Sequence, residues 1–133
     1  MVICNTHNFI YLRVPKNASS SLAEFFVRNY CHSNDAYTQY ATQPDHLRQD
    51  RWTEVNDCQI PSYNIPMKTM RKYMDRYRFI HLTLAEIVGE GLVREMDLPH
   101  KRVISVIRDP LMRQLSLYFW LKRNQLRAPS AEE

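Results

Sequence analysis

Glycine is unusually scarce in this chain: among 133 residues only Gly89 and Gly91 are glycines, and both lie in one short segment. Two familiar phosphate-binding turns, G-x-G-x-x-G for dinucleotides and G-x-x-x-x-G-K-[ST] for nucleoside triphosphates, need glycine because the backbone must approach the phosphate closely. Neither turn can be built from this sequence, which argues against a nucleoside triphosphate kinase. If the protein binds a phosphate, it must do so by another arrangement.

The composition is that of one soluble globular domain. A chain of this length can bury one core, and 44% hydrophobic with 24% charged residues is a globular balance. The net charge of +4 suits an anionic ligand. Because the chain has no long run of like charges and no aromatic RNA-binding signature, we expect no nucleic-acid partner.

The cysteines favour a reducing compartment. Cys4, Cys31 and Cys58 are odd in number and widely spaced, and they match neither a C-x-x-C motif nor a zinc site. The sequence shows no secretory leader and no apolar stretch of about 18 residues. We therefore expect a cytoplasmic protein without a metal and without a membrane partner.

Hydrophobic spacing predicts strands that alternate with helices. The predicted strands cover residues 2–4, 9–14, 78–82 and 102–107, and the last is apolar enough to suggest that both its faces are covered. The predicted helices are residues 20–31, one opening at Pro66, one between a Thr83–Glu86 capping box and the glycine pair, and one that Asp109 caps and Pro110 opens. This order indicates a single α/β domain over residues 1–133, with a small, mainly parallel β-sheet flanked by helices.

Residues 33–65 lack hydrophobic periodicity and are rich in Asn, Asp, Gln, Pro and Tyr. We expect a long ordered loop or lid there, with one short helix near residues 45–52, because long loops in compact domains are usually functional or disordered. The tail at residues 127–133 is expected to be loose.

The most informative segment is RVPKNASSSL, residues 13–22. It places the end of a strand, a tight turn with one lysine, three consecutive serines and the start of a helix. The N–H groups and dipole of a helix N-terminus attract anions, while Lys16 adds a mobile positive charge. The segment predicts a phosphate or sulfate cradle that needs no glycine. A serine helix cap beside an unrelated lysine is the alternative.

A second segment, VISVIRDP at residues 103–110, again runs from a strand through a charged turn into a helix. Arg108 stands at the carboxyl end of the strand, where ligands collect in open α/β sheets. Ser116 lies two helical turns after Asp109. Arg108 and Ser116 are therefore predicted to converge on a second phosphate, unless Arg108 pairs with a neighbour such as Asp109 and Ser116 is only a packing residue.

Together these segments resemble the two cofactor motifs of sulfotransferases that use 3′-phosphoadenosine-5′-phosphosulfate (PAPS). FIYL followed by RVPKNASSSL, and later VIRDPLMRQLSLY, are most similar to the group containing heparan sulfate 2-O-sulfotransferase and its bacterial and phage relatives. The opening, MVIC through FIY, is typical of microbial members. The resemblance implies a P-loop-like sulfotransferase fold in shortened form and transfer of a sulfuryl group to a hydroxyl. A carbohydrate acceptor is expected ahead of a peptide tyrosine or a small molecule.

The resemblance also implies roles for the matching positions. The 5′-phosphosulfate would be wrapped by Lys16, Asn17, Ala18, Ser19, Ser20 and Ser21. The 3′-phosphate would be held by Arg108 and Ser116. Lys16 would also stabilise the negative charge that develops as the S–O bond breaks. Asn17 and Ser20 stand where the family often has Thr, and both keep a polar donor.

His81 is the candidate general base for the acceptor hydroxyl. It lies in FIHLTLAEI, a segment similar to the His-bearing one of the family, and Glu86 is expected either as a capping carboxylate or as the group that orients His81. His46, in the predicted lid, is the competing histidine. A purely structural histidine at a strand end is the plain alternative.

Members of the family usually continue further than this chain, in which 17 residues follow Ser116. We expect residues 33–65 or a second subunit to complete the adenine and acceptor walls, which leaves homo-oligomerisation open. The alternative function is a non-catalytic module that binds PAPS or its product 3′-phosphoadenosine 5′-phosphate (PAP). The expected setting is the cytoplasm of a microbial cell or of a phage-infected host.

Overall fold

One β-sheet of six strands organises the computed structural model, which describes residues 1–38, 52–55, 58–73 and 80–125. The strands are β1 (Val2–Cys4), β2 (Phe9–Leu12), β3 (Ala36–Thr38), β4 (Trp52–Val55), β5 (Cys58–Tyr63) and β6 (Arg102–Ser105), in the spatial order β4-β5-β3-β1-β2-β6. The helices are α1 (Ser19–Tyr30), α2 (Met67–Lys72), α3 (Leu84–Gly89) and α4 (Pro110–Gln125), with a 3-10 helix at Glu95–His100. The predicted α/β class is confirmed.

The parallel character of the sheet is only partial. Within the described residues β2 and β6 form the one parallel pair, and the other neighbouring strands pair antiparallel. The reason is connection length: residues 5–8 form a short turn, which joins β1 and β2 as a hairpin, whereas a parallel pair needs a long crossover. The β2–β6 pair is the part of the sheet that matches the prediction.

The central strands bury both of their faces, which explains their continuous apolar runs. On one face Ile10 belongs to a cluster that includes Met70 of α2 and Ile87 of α3. On the other face the sheet packs against Ala23 and Val27 of α1. The β2–α1 turn therefore leaves from the best-buried part of the sheet.

The strand predicted at residues 102–107 forms over residues 102–105, but its faces are not covered as expected. Val103 is 46% exposed, and Ile107, just beyond the strand, is 91% exposed. The cause is position, because β6 pairs with β2 on one side and is the last strand of the described sheet. The apolar face of α4 is also open to solvent, with Leu111 69% and Phe119 60% exposed.

The segment predicted as a long loop or lid contains three strands, which corrects that prediction at β3, β4 and β5. Short strands with interspersed polar residues leave no clear period in the sequence. Tyr37 of β3 and Tyr63 of β5 are buried and stack, with ring centroids 5.2 Å apart. Residues 39–51, which include His46 and most of the helix predicted near 45–52, lie outside the described residues, as does the tail at 127–133.

The strand predicted at residues 78–82 is also corrected where it is described, because Ile80 and His81 lie in a turn. Ile80 and Leu82 are both buried, so the alternation of a strand is present in the sequence. However, the Ile80 carbonyl accepts a hydrogen bond from the Met1 amino group at 2.9 Å. This carbonyl therefore bonds to the N-terminus and does not pair with a neighbouring strand.

Two predicted helix boundaries are confirmed, and a third is displaced by one residue. The Thr83 hydroxyl accepts from the Glu86 N–H, and the Glu86 carboxylate accepts from the Thr83 N–H, which completes the capping box of α3. Asp109 caps α4, since its Oδ1 accepts from the Met112 N–H at 3.0 Å. Pro66 directly precedes α2. No helix within the described ranges is long and apolar enough to span a membrane.

A buried carboxylate organises the turn between β1 and β2. Asp35 is fully buried, and its Oδ1 accepts from the N–H groups of Asn5 at 2.6 Å and Thr6 at 3.0 Å. Its Oδ2 accepts from the His32 N–H at 2.7 Å and from the Thr6 hydroxyl at 3.0 Å. One side chain thus joins the β1–β2 turn to the α1–β3 connection.

Replacing this carboxylate should destabilise the fold strongly. We expect Asp35→Ala to lower the free energy of unfolding by about 3 kcal/mol, because it leaves several backbone donors without an acceptor. Urea unfolding at pH 7 measures the change. Asp97→Ala is the matched control, since Asp97 pairs with Arg94 at the surface and such pairs contribute about 0–1 kcal/mol. Equal losses in the two variants would contradict the assignment.

Candidate anion-binding site

The turn between β2 and α1 has a backbone suited to anions. Lys16 and Ala18 have φ angles of 63° and 56°, whereas Asn17 between them does not have a positive φ. Alternation of this kind brings successive backbone N–H groups into one anion-binding concavity. Each left-handed residue other than glycine costs on the order of 1–2 kcal/mol. Strained backbone of this type clusters at functional sites.

The first turn of α1 carries no side-chain cap. Ala18 occupies the N-cap position, and no acidic residue lies in the first helical turn. The N–H groups that begin the helix are therefore not capped by a serine, and the positive end of the helix dipole faces the turn. Ser19 is buried, while Ser20 and Ser21 are exposed. The helix start therefore lacks the serine cap that is the alternative interpretation of this segment.

Asn17 joins the turn to the second motif. Its side chain is buried, and Nδ2 donates to the Val106 carbonyl at 2.7 Å. Its Oδ1 is buried and accepts no hydrogen bond from the described residues. Because the side chain is engaged in this way, the backbone N–H of Asn17 is the group suited to meet an anion. The side chain itself acts as a brace between β6 and the turn.

Arg13 holds the start of α1 in place through hydrogen bonds, a role that the sequence patterns do not identify. This guanidinium is almost fully buried, at 3% exposure. Its Nη2 donates to Ser20 Oγ at 2.9 Å, and its Nη1 donates to the Thr38 carbonyl at 3.4 Å. Since Ser20 Oγ accepts from Arg13, its own hydroxyl hydrogen remains the group to point at a ligand. The sequence signal for this role is the position of a charged residue in an otherwise apolar strand segment.

Positive charge gathers beside the turn. Burial, and to a smaller extent the positive charges of Arg123 and Arg108, lower the pKa of Lys16. No carboxylate in the described part of the chain forms an ion pair with any of these three side chains. The structure thus brings Arg108 close enough for its charge to act on Lys16. It also adds Arg123, which the motifs did not single out.

Helix α4 presents one stripe of side chains to the turn. Arg113 Nε donates to the Pro15 carbonyl at 3.2 Å, and the Lys16 Nζ lies 5.4 Å from the ring centroid of Trp120. Ser116, which is half-buried, falls between them on the same helical stripe. The spacing of Arg113, Ser116, Trp120 and Arg123 in the sequence was the signal for this stripe.

His81 lies against the backbone of the strand that leads into the turn. Its Nδ1 is 2.5 Å from the Arg13 carbonyl oxygen. A carbonyl can only accept, so Nδ1 carries the hydrogen and Nε2 of the neutral ring is left as an acceptor. Burial, with smaller contributions from the positive charges of Arg13 and the N-terminus, lowers the pKa of His81 to about 4, although the bond to Arg13 opposes the shift.

In the described residues, the parallel pair of the sheet leads into a helix start without a side-chain cap, beside cations that form no ion pair there. These features suit an anionic ligand. The sequence model of the sulfotransferase family matches residues 1–130. The chain therefore belongs to the sulfotransferase family, whose general activity is sulfuryl transfer. A search of curated proteins and a search of solved structures each found no match.

The left-handed turn can be tested by substitution at Ala18, which is exposed. We expect Ala18→Val to lower the free energy of unfolding by about 1–2 kcal/mol, because a β-branched residue resists a positive φ. Ala18→Gly should be neutral or stabilising by up to about 1 kcal/mol. Thermal and urea unfolding measure both changes.

Ala85→Val provides the matched control, because Ala85 is exposed within α3 and the same substitution there costs roughly 0.5 kcal/mol of helix propensity. If valine were tolerated equally at positions 18 and 85, the strained turn would be refuted.

Proposed function

We propose that this protein transfers a sulfuryl group from PAPS to a hydroxyl acceptor. The observation that carries the proposal is the left-handed turn at Lys16 and Ala18, which leads into the uncapped start of α1. The charges of Arg123 and Arg108 act on Lys16 there, and none of the three cations has a carboxylate partner among the described residues. The motifs that carry the cradle resemble the heparan sulfate 2-O-sulfotransferase group, so a carbohydrate is the favoured acceptor. The family match supports sulfuryl transfer in general.

The residues fit a ligand with two anionic ends. Lys16 and the backbone N–H groups of residues 16–21 would hold the 5′-phosphosulfate, with the hydroxyls of Ser20 and Ser21 as further donors. Arg108 and Ser116 would hold the 3′-phosphate. The charge of Arg108 contributes, after burial and Arg123, to the lowered pKa of Lys16, which supports the proposal that Lys16 and Arg108 serve one bound molecule.

PAPS supplies the activated sulfuryl group. Within the protein, Lys16 would stabilise negative charge on the departing phosphate oxygen, a task that suits a compact ammonium. The exposed hydroxyl of Ser20, held by Arg13, would donate to an oxygen of the same group. These contacts act mainly by electrostatic stabilisation in a preorganised turn.

His81 would accept the proton of the acceptor hydroxyl. Its Nδ1–H is fixed on the Arg13 carbonyl, so Nε2 is the nitrogen of the neutral ring that would receive the proton. The low pKa keeps the ring neutral at pH 7. Arg13 links this base to the cradle, because its carbonyl binds His81 and its guanidinium binds Ser20.

Ligand-induced stabilisation tests the donor. At a hundredfold excess over its Kd, PAP should stabilise the folded protein by about 2.7 kcal/mol, which raises Tm by roughly 5–10 °C. AMP, which lacks the 3′-phosphate, should raise Tm much less. In Arg108→Ala the PAP shift should fall to the level of AMP. Equal shifts from PAP and AMP in the natural protein would reject the assignment of Arg108 and Ser116.

Turnover separates an enzyme from a binding module. With labelled PAPS and a panel of glycans, the natural protein should release PAP and label an acceptor. Lys16→Met should lose transfer by at least about a hundredfold while it stays folded. PAP binding without any transfer across the panel would favour the alternative, a non-catalytic module that retains the cradle.

The pKa of His81 predicts the acid limb of the pH profile. The base must be neutral, so kcat/KM should be constant from pH 7 down to about pH 5 and fall only as the pH approaches 4. A histidine with the ordinary pKa of about 6.5 would lose half its activity near pH 6.5. Initial rates across this range measure the profile. A midpoint near 6.5, or full transfer by His81→Ala, would remove His81 from the role of base.

A further inference from the structure

Lys16 has an aromatic neighbour for which neither the motifs nor the family match gives a role. Its ammonium lies 5.4 Å from the ring centroid of Trp120, within the distance of about 6 Å at which the ring quadrupole attracts a cation. Trp120 is 43% exposed, so it lies at the surface of α4 and does not belong to the core. Core packing therefore does not account for the position of the ring over Lys16.

The placement of the ring is set by the anchoring of α4. Arg113 Nε binds the Pro15 carbonyl, one residue before Lys16 in the chain. Trp120 follows Arg113 by seven residues, which is two helical turns and hence the same face of the helix. The contact that fixes the first turn of α4 on the cradle thus also brings the indole over the ammonium.

The electrostatics explain why an aromatic ring suits this position. Burial and the charges of Arg123 and Arg108 act against the charged form of Lys16 and lower its pKa, and an attractive neighbour opposes this effect. A carboxylate would be such a neighbour, but its negative charge would neutralise the cluster and repel an incoming anion. The face of an indole attracts the ammonium and adds no net charge.

We propose that Trp120 is a positioning residue, which holds the Lys16 ammonium at the cradle for a sulfate- or phosphate-bearing ligand. The identity of that ligand rests on the proposed function. The Lys16–Trp120 contact itself belongs to the ligand-free protein and can be measured without PAPS.

The first experiment observes Lys16 in the ligand-free protein by NMR with ¹³C-labelled lysine. The ε-methylene protons of Lys16, identified by their absence in Lys16→Met, should be shifted upfield by the ring current of Trp120. The shift should vanish in Trp120→Leu and persist in part in Trp120→Phe. Phe119→Leu is the matched control, because Phe119 is the adjacent exposed aromatic and packs on Tyr118; it should leave the Lys16 signal unchanged.

Calorimetric titration with PAP then tests the consequence in a double-mutant cycle. Trp120→Leu should weaken PAP binding about threefold to tenfold, Trp120→Phe should weaken it less, and Phe119→Leu should leave it unchanged. In the Lys16→Met background, Trp120→Leu should have no further effect, because the ring acts through the ammonium.

Two results would overturn the proposal: an ordinary Lys16 signal in the natural protein, or equal weakening of PAP binding by Trp120→Leu with and without Lys16. The latter would mean that the indole touches the ligand directly or only supports the fold. If the natural protein failed to bind PAP at all, the proposed function would fail. The NMR signal would still decide whether Trp120 positions Lys16.

Discussion

The site depends on the parallel pairing of β2 with β6 and on the hydrogen bond that locks it. The pairing places the β2–α1 turn and the β6–α4 turn side by side at one edge of the sheet, and the Asn17 amide then binds the Val106 carbonyl across that junction. Segments 89 residues apart in the chain are joined at this point. Without the pairing, Lys16 and Arg108 would be two unrelated cations, and the proposed anion site could not form.

The β2–α1 turn adopts a left-handed backbone conformation without glycine, and the surrounding contacts offset the strain of that conformation. Two left-handed residues, Lys16 and Ala18, are held in place between a buried strand and a helix whose face packs on the sheet. Arg13 and Asn17 fix the turn from within, so the strain is offset by buried hydrogen bonds. The absence of glycine from this turn also lowers the conformational entropy that the chain loses on folding, because glycine would give the unfolded chain more freedom.

Local patterns predicted much of the fold because the relevant signals are short-range. The capping box at Thr83 and Glu86, the Asp109 cap and the helical spacing of α1 each depend on neighbours within a few residues. The mainly parallel sheet and the strand at His81 could not be corrected from sequence, since pairing partners are set by distant contacts such as Met1 with Ile80. At the site, Lys16 and Arg108 stood out by motif. Arg13 and Trp120 did not, because their roles arise only when α4 and the strand meet the turn.

The short connection between β6 and α4 has a consequence for how this chain tolerates changes in length. The connection has four residues, of which Val106 accepts a hydrogen bond from the Asn17 side chain. Arg108 acts by its charge on Lys16. Asp109 caps α4, the helix that carries Trp120. An insertion or deletion of one residue here would change the orientation of Arg108 and of α4 relative to the β2–α1 turn, while β2 and β6 stayed paired. Loops elsewhere, such as the residues between α3 and the 3-10 helix, carry no comparable constraint from the site. A change in the length of this connection would therefore disrupt the proposed site before it disturbed the fold.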